Sequence, residues 1–368
     1  MQNVFDITDY GARGDGSTNC TAAIQLALDE AGKCRGAVSV PPGNYLCGKL
    51  VIPRAVSLTG LHAWSFRNDG LSILTLCDDT ADCLLDISDA AGCTIKGICL
   101  NGGRLGTGIH GIKLWHSEYN GGGEEDTPTF EDCRIGGFSG DGIHLEHIWC
   151  FSIRHCMLHS NTLNGLFVDG WDGFVLDNWF SGNGGAGMAG GKTFCSVTAT
   201  GNRVEWNRLA GFLIRNGNTV NITGNYFDRT GRAALDMRCS APCQIETVTV
   251  TGNVFNRSGA NTFGKEPPED ILDRTHISLE RCINTVISGN TFRAGQNDGD
   301  DNTGCLSPDY NLTIKSLRSC IIKDNVWQCG AVKENVLDLG CHKDGVLIRD
   351  NIGVPSPGGK RFAPVFDD

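Results

Sequence analysis

Short apolar strands recur through the middle and C-terminal half of the chain with a period of about 23 residues. The phrases VLDNWFSGN, VTATGNRVEWN, VNITGNYFDRT, VTVTGNVFNRS, VISGNTFRAG and IIKDNVWQCG share one layout. Each has a β-branched run, then Gly-Asn or Asp-Asn, then a second apolar run. Their asparagines are Asn178, Asn202, Asn225, Asn253, Asn290 and Asn325. After the turn come a polar loop and a strand that alternates with period two, as in GIHLEHI (142–148), GLFVDGW (165–171), GFLIRNG (211–217) and ALDMRC (234–239). Three short strands per repeat, apolar side inward, predict the coils of a right-handed parallel β-helix, an all-β solenoid. Asn tolerates the left-handed conformation and its side chain can bond the coils on either side, so these asparagines are expected to stack at one turn. A propeller fits less well, since its blades need about 40 residues and antiparallel hairpins.

The N-terminal pattern is different. Residues 19–31, NCTAAIQLALDEA, read as a short amphipathic helix with Asn19 at its cap. A solenoid needs such a cover over its open core. One domain, 1–368, is expected: cap and first strands to 52, coils over 53–350, and an irregular tail over 351–368.

Composition adds limits. A net charge of −11 argues against nucleic acid or an anionic membrane as partner. No apolar run approaches the ~20 residues of a membrane span. Eighteen cysteines lie scattered, many inside strand-like runs, and read as buried reduced thiols. Together with the absence of a signal-peptide pattern at the start of this sequence, they favour a cytoplasmic location, a secreted one being expected if a leader has been removed.

The opening, VFDITDYGARGDGSTNCTAAIQLALDEA followed by AVSVPPGNYLCGKLVI, resembles the start of the pectate lyase-like superfamily. That group includes polygalacturonases, rhamnogalacturonases, alginate epimerases, inulin fructotransferases and phage tailspikes. The resemblance implies the pectin lyase fold and a poly- or oligosaccharide substrate, in a monomer or a homotrimer. It says little about the reaction, because one scaffold hosts many chemistries. The polygalacturonase motifs are missing: Asp78-Asp79 and Asp300-Asp301 are isolated pairs, and Gly108-Ile-His-Gly is not Gly-His-Gly.

Registering the coils gives columns of outward residues. One reads His144, Phe167, Ala189, Leu213, Asp236, Ser278. The next reads Glu146, Asp169, Gly191, Arg215, Arg238, Glu280. A third, after the Asn turn, reads His159, Ser181, Glu205, Asp228, Asn256, Arg293. Outward positions are polar in any solenoid, so a single residue here is more often solvated than catalytic. The cluster is more telling. A glycoside hydrolase or glycosyl-transferring enzyme needs two carboxyl groups, for which Asp236 and Glu205 are first choices and Asp169 and Asp228 substitutes. Substrate-binding candidates are Arg238, Arg215, His144, Glu146, Trp171, Trp206 and Glu280. No metal or cofactor is expected on this reading. A uronate lyase is the alternative, with Ca2+ on Glu146, Asp169 and Asp172 and Arg215 or Arg238 as base; its products would absorb in the ultraviolet. A non-catalytic, tailspike-like glycan binder is the third, and would release no product. The insertions at 117–128, 260–273 and 295–308 are expected to wall the binding face.

Overall fold

The computed structural model describes residues 3–61, 70–119, 123–260, 263, 266–293, 295 and 306–357. The Asp300-Asp301 pair and the tail beyond 357 lie outside the described residues. The chain forms a right-handed parallel β-helix that divides into two compact units, 1–197 and 198–368. No described helix is long and apolar enough to cross a membrane.

In unit 1 the capping helix is Thr21–Cys34, later and longer than the pattern suggested. Cys20 takes the cap position, yet the Asn19 side chain still accepts from the Thr21 amide at 3.0 Å. Ile24, Ala27, Leu28 and Ala31 form its buried stripe. Gln25 exchanges two 2.9 Å hydrogen bonds with the Val51 backbone, pairing the helix to the Leu50–Val51 strand.

Three series of parallel strands follow, as the repeat predicts. The first includes Arg134–Gly136, Met157–His159 and Trp179–Ser181. The second runs through Cys83–Asp86, His110–Trp115 and the first halves of Ile143–Arg154 and Leu166–Leu176. The third takes in Thr94–Lys96, Thr129–Glu131 and the second halves of those two long strands. The long strands round the corner between series through left-handed residues, His147 and Cys150 in one and Asp172 in the other.

Unit 2 repeats the scheme. Its first series is Arg203–Glu205, Tyr226–Asp228, Val254–Asn256 and Thr291–Arg293. Its second is Phe212–Ile214, Leu235–Arg238, Thr275–Glu280, Tyr310–Lys315 and Glu334–Asp338. Phe227, Phe255 and Phe292 stack through its core with ring centroids 4.9 and 5.0 Å apart.

Within unit 2 the expected asparagine stack is present and runs one rung past Asn325. In unit 2 the backbone N–H of Asn202, Asn225, Asn253, Asn290 and Asn325 each donates to the side-chain oxygen of the next, ending at Asn351. The left-handed residue is the one before each Asn, such as Gly224 or Asp324, rather than the Asn itself. Glycine or aspartate makes the turn and asparagine bonds across it. In unit 1 Cys133 and Cys156 hold the position that Asn178 takes in the next coil. A second ladder, Asn161 to Asn183, lies at another turn. Among the described residues no cysteine forms a disulfide, and ten of them are buried.

Candidate functional site

The outward columns hold within each unit. His144 pairs with Phe167 and Glu146 with Asp169 in unit 1; Leu213, Asp236 and Ser278 align in unit 2, as do Arg238 and Glu280. Outward does not mean exposed, however. Asp236 is 2% exposed and Ser278 is fully buried.

Unit 2 contains a polar cavity of about 880 Å³ whose lining includes Arg215, Arg232, Arg238, Asp270, Asp273 and Glu280. Arg238 organises it. Its Nε donates to Asp236 Oδ1 at 2.6 Å and its Nη2 to Asp236 Oδ2 at 2.7 Å. Its Nη1 donates to Asp270 Oδ2 at 2.9 Å, and Nη2 also reaches Asp273 Oδ1. Arg215 Nη2 adds a third bond to Asp236 at 2.7 Å. One guanidinium thus gathers three carboxylates. Asp270 caps the short turn Ile271–Asp273 by accepting from the Leu272 amide at 2.9 Å, which fixes the loop that carries both acids.

Their environments push these acids apart. Burial alone would raise the Asp236 pKa, but its bonds to Arg238 and Arg215 outweigh that, and it falls below the usual carboxylate value. For Asp273 burial wins: despite Arg238, its pKa is raised, with Asp236 and Asp270 repelling its charge.

Glu205 and Asp228 do not join this cavity. They are register partners on adjacent parallel strands of the first series, whereas Asp236 lies on the second. Glu205 is 5% exposed with Arg203 Nε at 2.9 Å. Asp228 is 1% exposed and held by Arg257 at 2.7 and 2.9 Å and by Arg229. It is a core ion pair. Trp206 lies against Arg229, whose guanidinium carbon is 4.5 Å from the ring centroid. Strand alternation marks this column as outward and could not reveal that both carboxylates are buried against arginines.

In unit 1 the outer face of the second series brings His144, Glu146, Asp169 and Trp171 together with residues the sequence left unmarked. His144 Nδ1 lies 2.8 Å from Asp141 Oδ2, and its Nε2 lies 3.5 Å from Glu146 Oε2. Tyr119 donates to Asp169 Oδ1 at 2.6 Å and stands 4.8 Å, ring to ring, from Trp171. Burial and the Asp169 bond push the Tyr119 hydroxyl up to about 12. Burial and the neighbouring His144 lower His110 to about 4. Asp172 turns instead to Trp149, accepting from its Nε1 at 3.0 Å. The signal for Tyr119, Asp270 and Asp273 was their place in the insertions at 117–128 and 260–273.

Fold and site together define a β-helix with a polar, arginine- and acid-lined cavity in unit 2 and a cluster of His, acidic and aromatic side chains in unit 1. A right-handed β-helix family model matches residues 87–255, and a rhamnogalacturonase A/epimerase, pectate lyase-like model matches residues 4–65. These two matches, with the fold, support placing the chain in the pectate lyase-like superfamily of right-handed parallel β-helices. Mannuronan C5-epimerase AlgE6 of Azotobacter vinelandii is 26% identical over 186 residues, 47% of this chain and 21% of that protein. The match therefore spans about a fifth of that relative's length. Among solved structures, DFA-IIIase from Arthrobacter chlorophenolicus A6 in complex with GF2 superposes with a TM-score of 0.68 at 13% identity, covering 97% of this chain and 99% of that one. The A-module of Azotobacter vinelandii mannuronan C5-epimerase AlgE4 superposes with a TM-score of 0.62 at 17% identity, covering 96% of each.

Proposed function

We propose that the protein is a carbohydrate-active enzyme that breaks glycosidic bonds, by hydrolysis or glycosyl transfer, in the unit 2 cavity. The observation that carries this is the pair of carboxyl groups on Arg238: Asp273, buried and with its pKa raised, and Asp270, half exposed on the other side of the guanidinium. Glycoside cleavage needs one carboxyl group that keeps its proton and another that has lost it. Hydrogen bonds of about 3 Å on either side of one guanidinium hold the two carboxyls within roughly 8 Å, inside the ~5–9.5 Å range that glycosidases use. Asp273 protonates the leaving oxygen and Asp270 acts as base or nucleophile. Asp236, buried with both oxygens bound, is a positioning residue that aims Arg238 and Arg215 into the cavity. Similarity to the DFA-IIIase supports a sugar-chain substrate. Incubation with fructan, plant and algal oligosaccharides, with mass analysis of products, tests this. Cleavage lost in both Asp273→Asn and Asp270→Asn is expected; cleavage retained in both sinks it.

One observation favours a second reading, proton abstraction from a uronate. His144 is oriented by Asp141 with Nε2 facing outward toward Glu146, the arrangement of a general base. Resemblance to mannuronan epimerases supports this alternative, and unsaturated products or solvent deuterium at C5 would mark it.

A further inference from the structure

We propose that unit 1 carries a divalent-metal site built from Glu146, His147 and Asp169, suited to an ion of the Mn2+, Co2+ or Zn2+ class. In a regular strand, consecutive residues such as Glu146 and His147 point to opposite faces. Here the register against the neighbouring strand shifts between Glu146 and Ile148, and His147 is left-handed at φ 62°. Such a bulge re-aims side chains. The result is that one ligand atom from each of Glu146, His147 and Asp169 lies within 4.8 Å of the others.

The remaining atoms of the donors are held in place. His147 Nδ1 lies 2.7 Å from the His116 carbonyl oxygen; a carbonyl only accepts, so Nδ1 carries the hydrogen and Nε2 the lone pair. Asp169 Oδ1 accepts from Tyr119 at 2.6 Å and from the Thr193 amide at 2.8 Å, with Oδ2 as the remaining donor. Glu146 has the His144 imidazole 3.5 Å away, itself set by Asp141. Outer partners of this kind fix tautomer and direction in metal sites. Gly191 makes room, since a Cβ there would come 2.7 Å from the Asp169 Cβ.

The neighbouring trio of His110, Asp141 and His144 is less suited, although equally compact. His110 Nδ1 accepts the Asp141 amide at 3.0 Å, which uses the lone pair of that neutral ring. An imidazole with two carboxylates favours Mn2+, Co2+ or Zn2+ over Ca2+, which takes six to eight oxygens. Three protein donors leave coordination positions for water or for sugar oxygens.

Mn2+ is the probe, because the many thiols would capture Zn2+ but bind Mn2+ poorly. The full chain, freed of metal by chelator, is titrated with Mn2+ and the free ion followed by electron paramagnetic resonance. One saturable site per chain is expected. Asp169→Asn, Glu146→Gln and His147→Asn should each weaken it by about tenfold or more; Asn is chosen at 147 because it tolerates the left-handed backbone. His155→Ala, outside the cluster, should bind as the parent does. Thermal melts identify any variant that does not fold, and the half-buried Glu146→Gln then carries the test. No saturable binding, or equal binding in the parent and the folded ligand variants, overturns the proposal.

Discussion

Replacing Asn225 by Leu tests the ladder that ties the coils of unit 2 together. Asn225 is 1% exposed. Its side-chain oxygen accepts from the Asn202 backbone N–H and Nδ2, both at 2.9 Å. Its Nδ2 donates to the Ala199 carbonyl at 2.9 Å and to Asn253 Oδ1 at 3.0 Å. Leu supplies none of these bonds. At least two buried backbone groups, the Asn202 N–H and the Ala199 carbonyl, lose a partner. At ~1–3 kcal/mol for each orphaned buried group, the loss comes to roughly 2–6 kcal/mol. Asn351 is the internal control. It makes the same kinds of bond, accepting from the Asn325 N–H at 3.0 Å and donating to the Ile322 carbonyl at 3.0 Å, but it sits at the partly exposed end of the ladder. Water can replace its bonds, so Asn351→Leu should cost about 1 kcal/mol. Urea unfolding followed by circular dichroism, with matched slopes, measures both. A cost below ~1 kcal/mol for Asn225→Leu, or equal costs for the two variants, would refute the reasoning.

Asp273→Asn should lower turnover about 10²–10⁴-fold, least on substrates whose leaving group needs no proton. Because the Asp273 pKa is raised, activity should fall as pH climbs through it, and the variant should lack that alkaline limb; an unchanged pH profile would exclude Asp273 as the acid. Asp236→Asn should destabilise by about 2–4 kcal/mol, below the full cost of breaking a buried pair because the Arg215 side chain is 43% exposed. Since the Asp236 pKa is lowered on folding, its contribution is complete above the unfolded value near ~3.9 and is lost as pH falls through the folded one; acid-unfolding curves of parent and variant should converge at low pH. Thiol titration of the native protein should label Cys34, Cys77, Cys243 and Cys341 first, while buried thiols such as Cys93, pushed up by burial to about 12, react only in denaturant. Finding most cysteines bonded in pairs would sink the reduced-core reading.

The sequence alone determined the β-helix, because the repeat makes each coil's pattern independently visible. Alternation set the inward face, and Gly-Asn or Asp-Asn marked the turn, so the pairings of Glu146 with Asp169 and Arg238 with Glu280 were predicted from spacing and are found. Asn351 escaped because no second apolar strand with the repeat's layout follows it. Cys133 and Cys156 escaped because they occupy an asparagine position with a side chain of different chemistry. What the tertiary structure decided is which polar columns meet solvent and which are covered. Glu205 and Asp228 have the sequence signature of outward groups, yet both are buried, Glu205 against Arg203 and Asp228 against Arg229 and Arg257. Asp270 and Asp273 come to Arg238 from an insertion that has no period, across more than thirty residues of chain. The bulge at His147 is likewise absent from any pattern of apolar and polar positions. Periodicity reports the coil that every repeat shares, whereas burial and ligand geometry arise from contacts made only once in the chain.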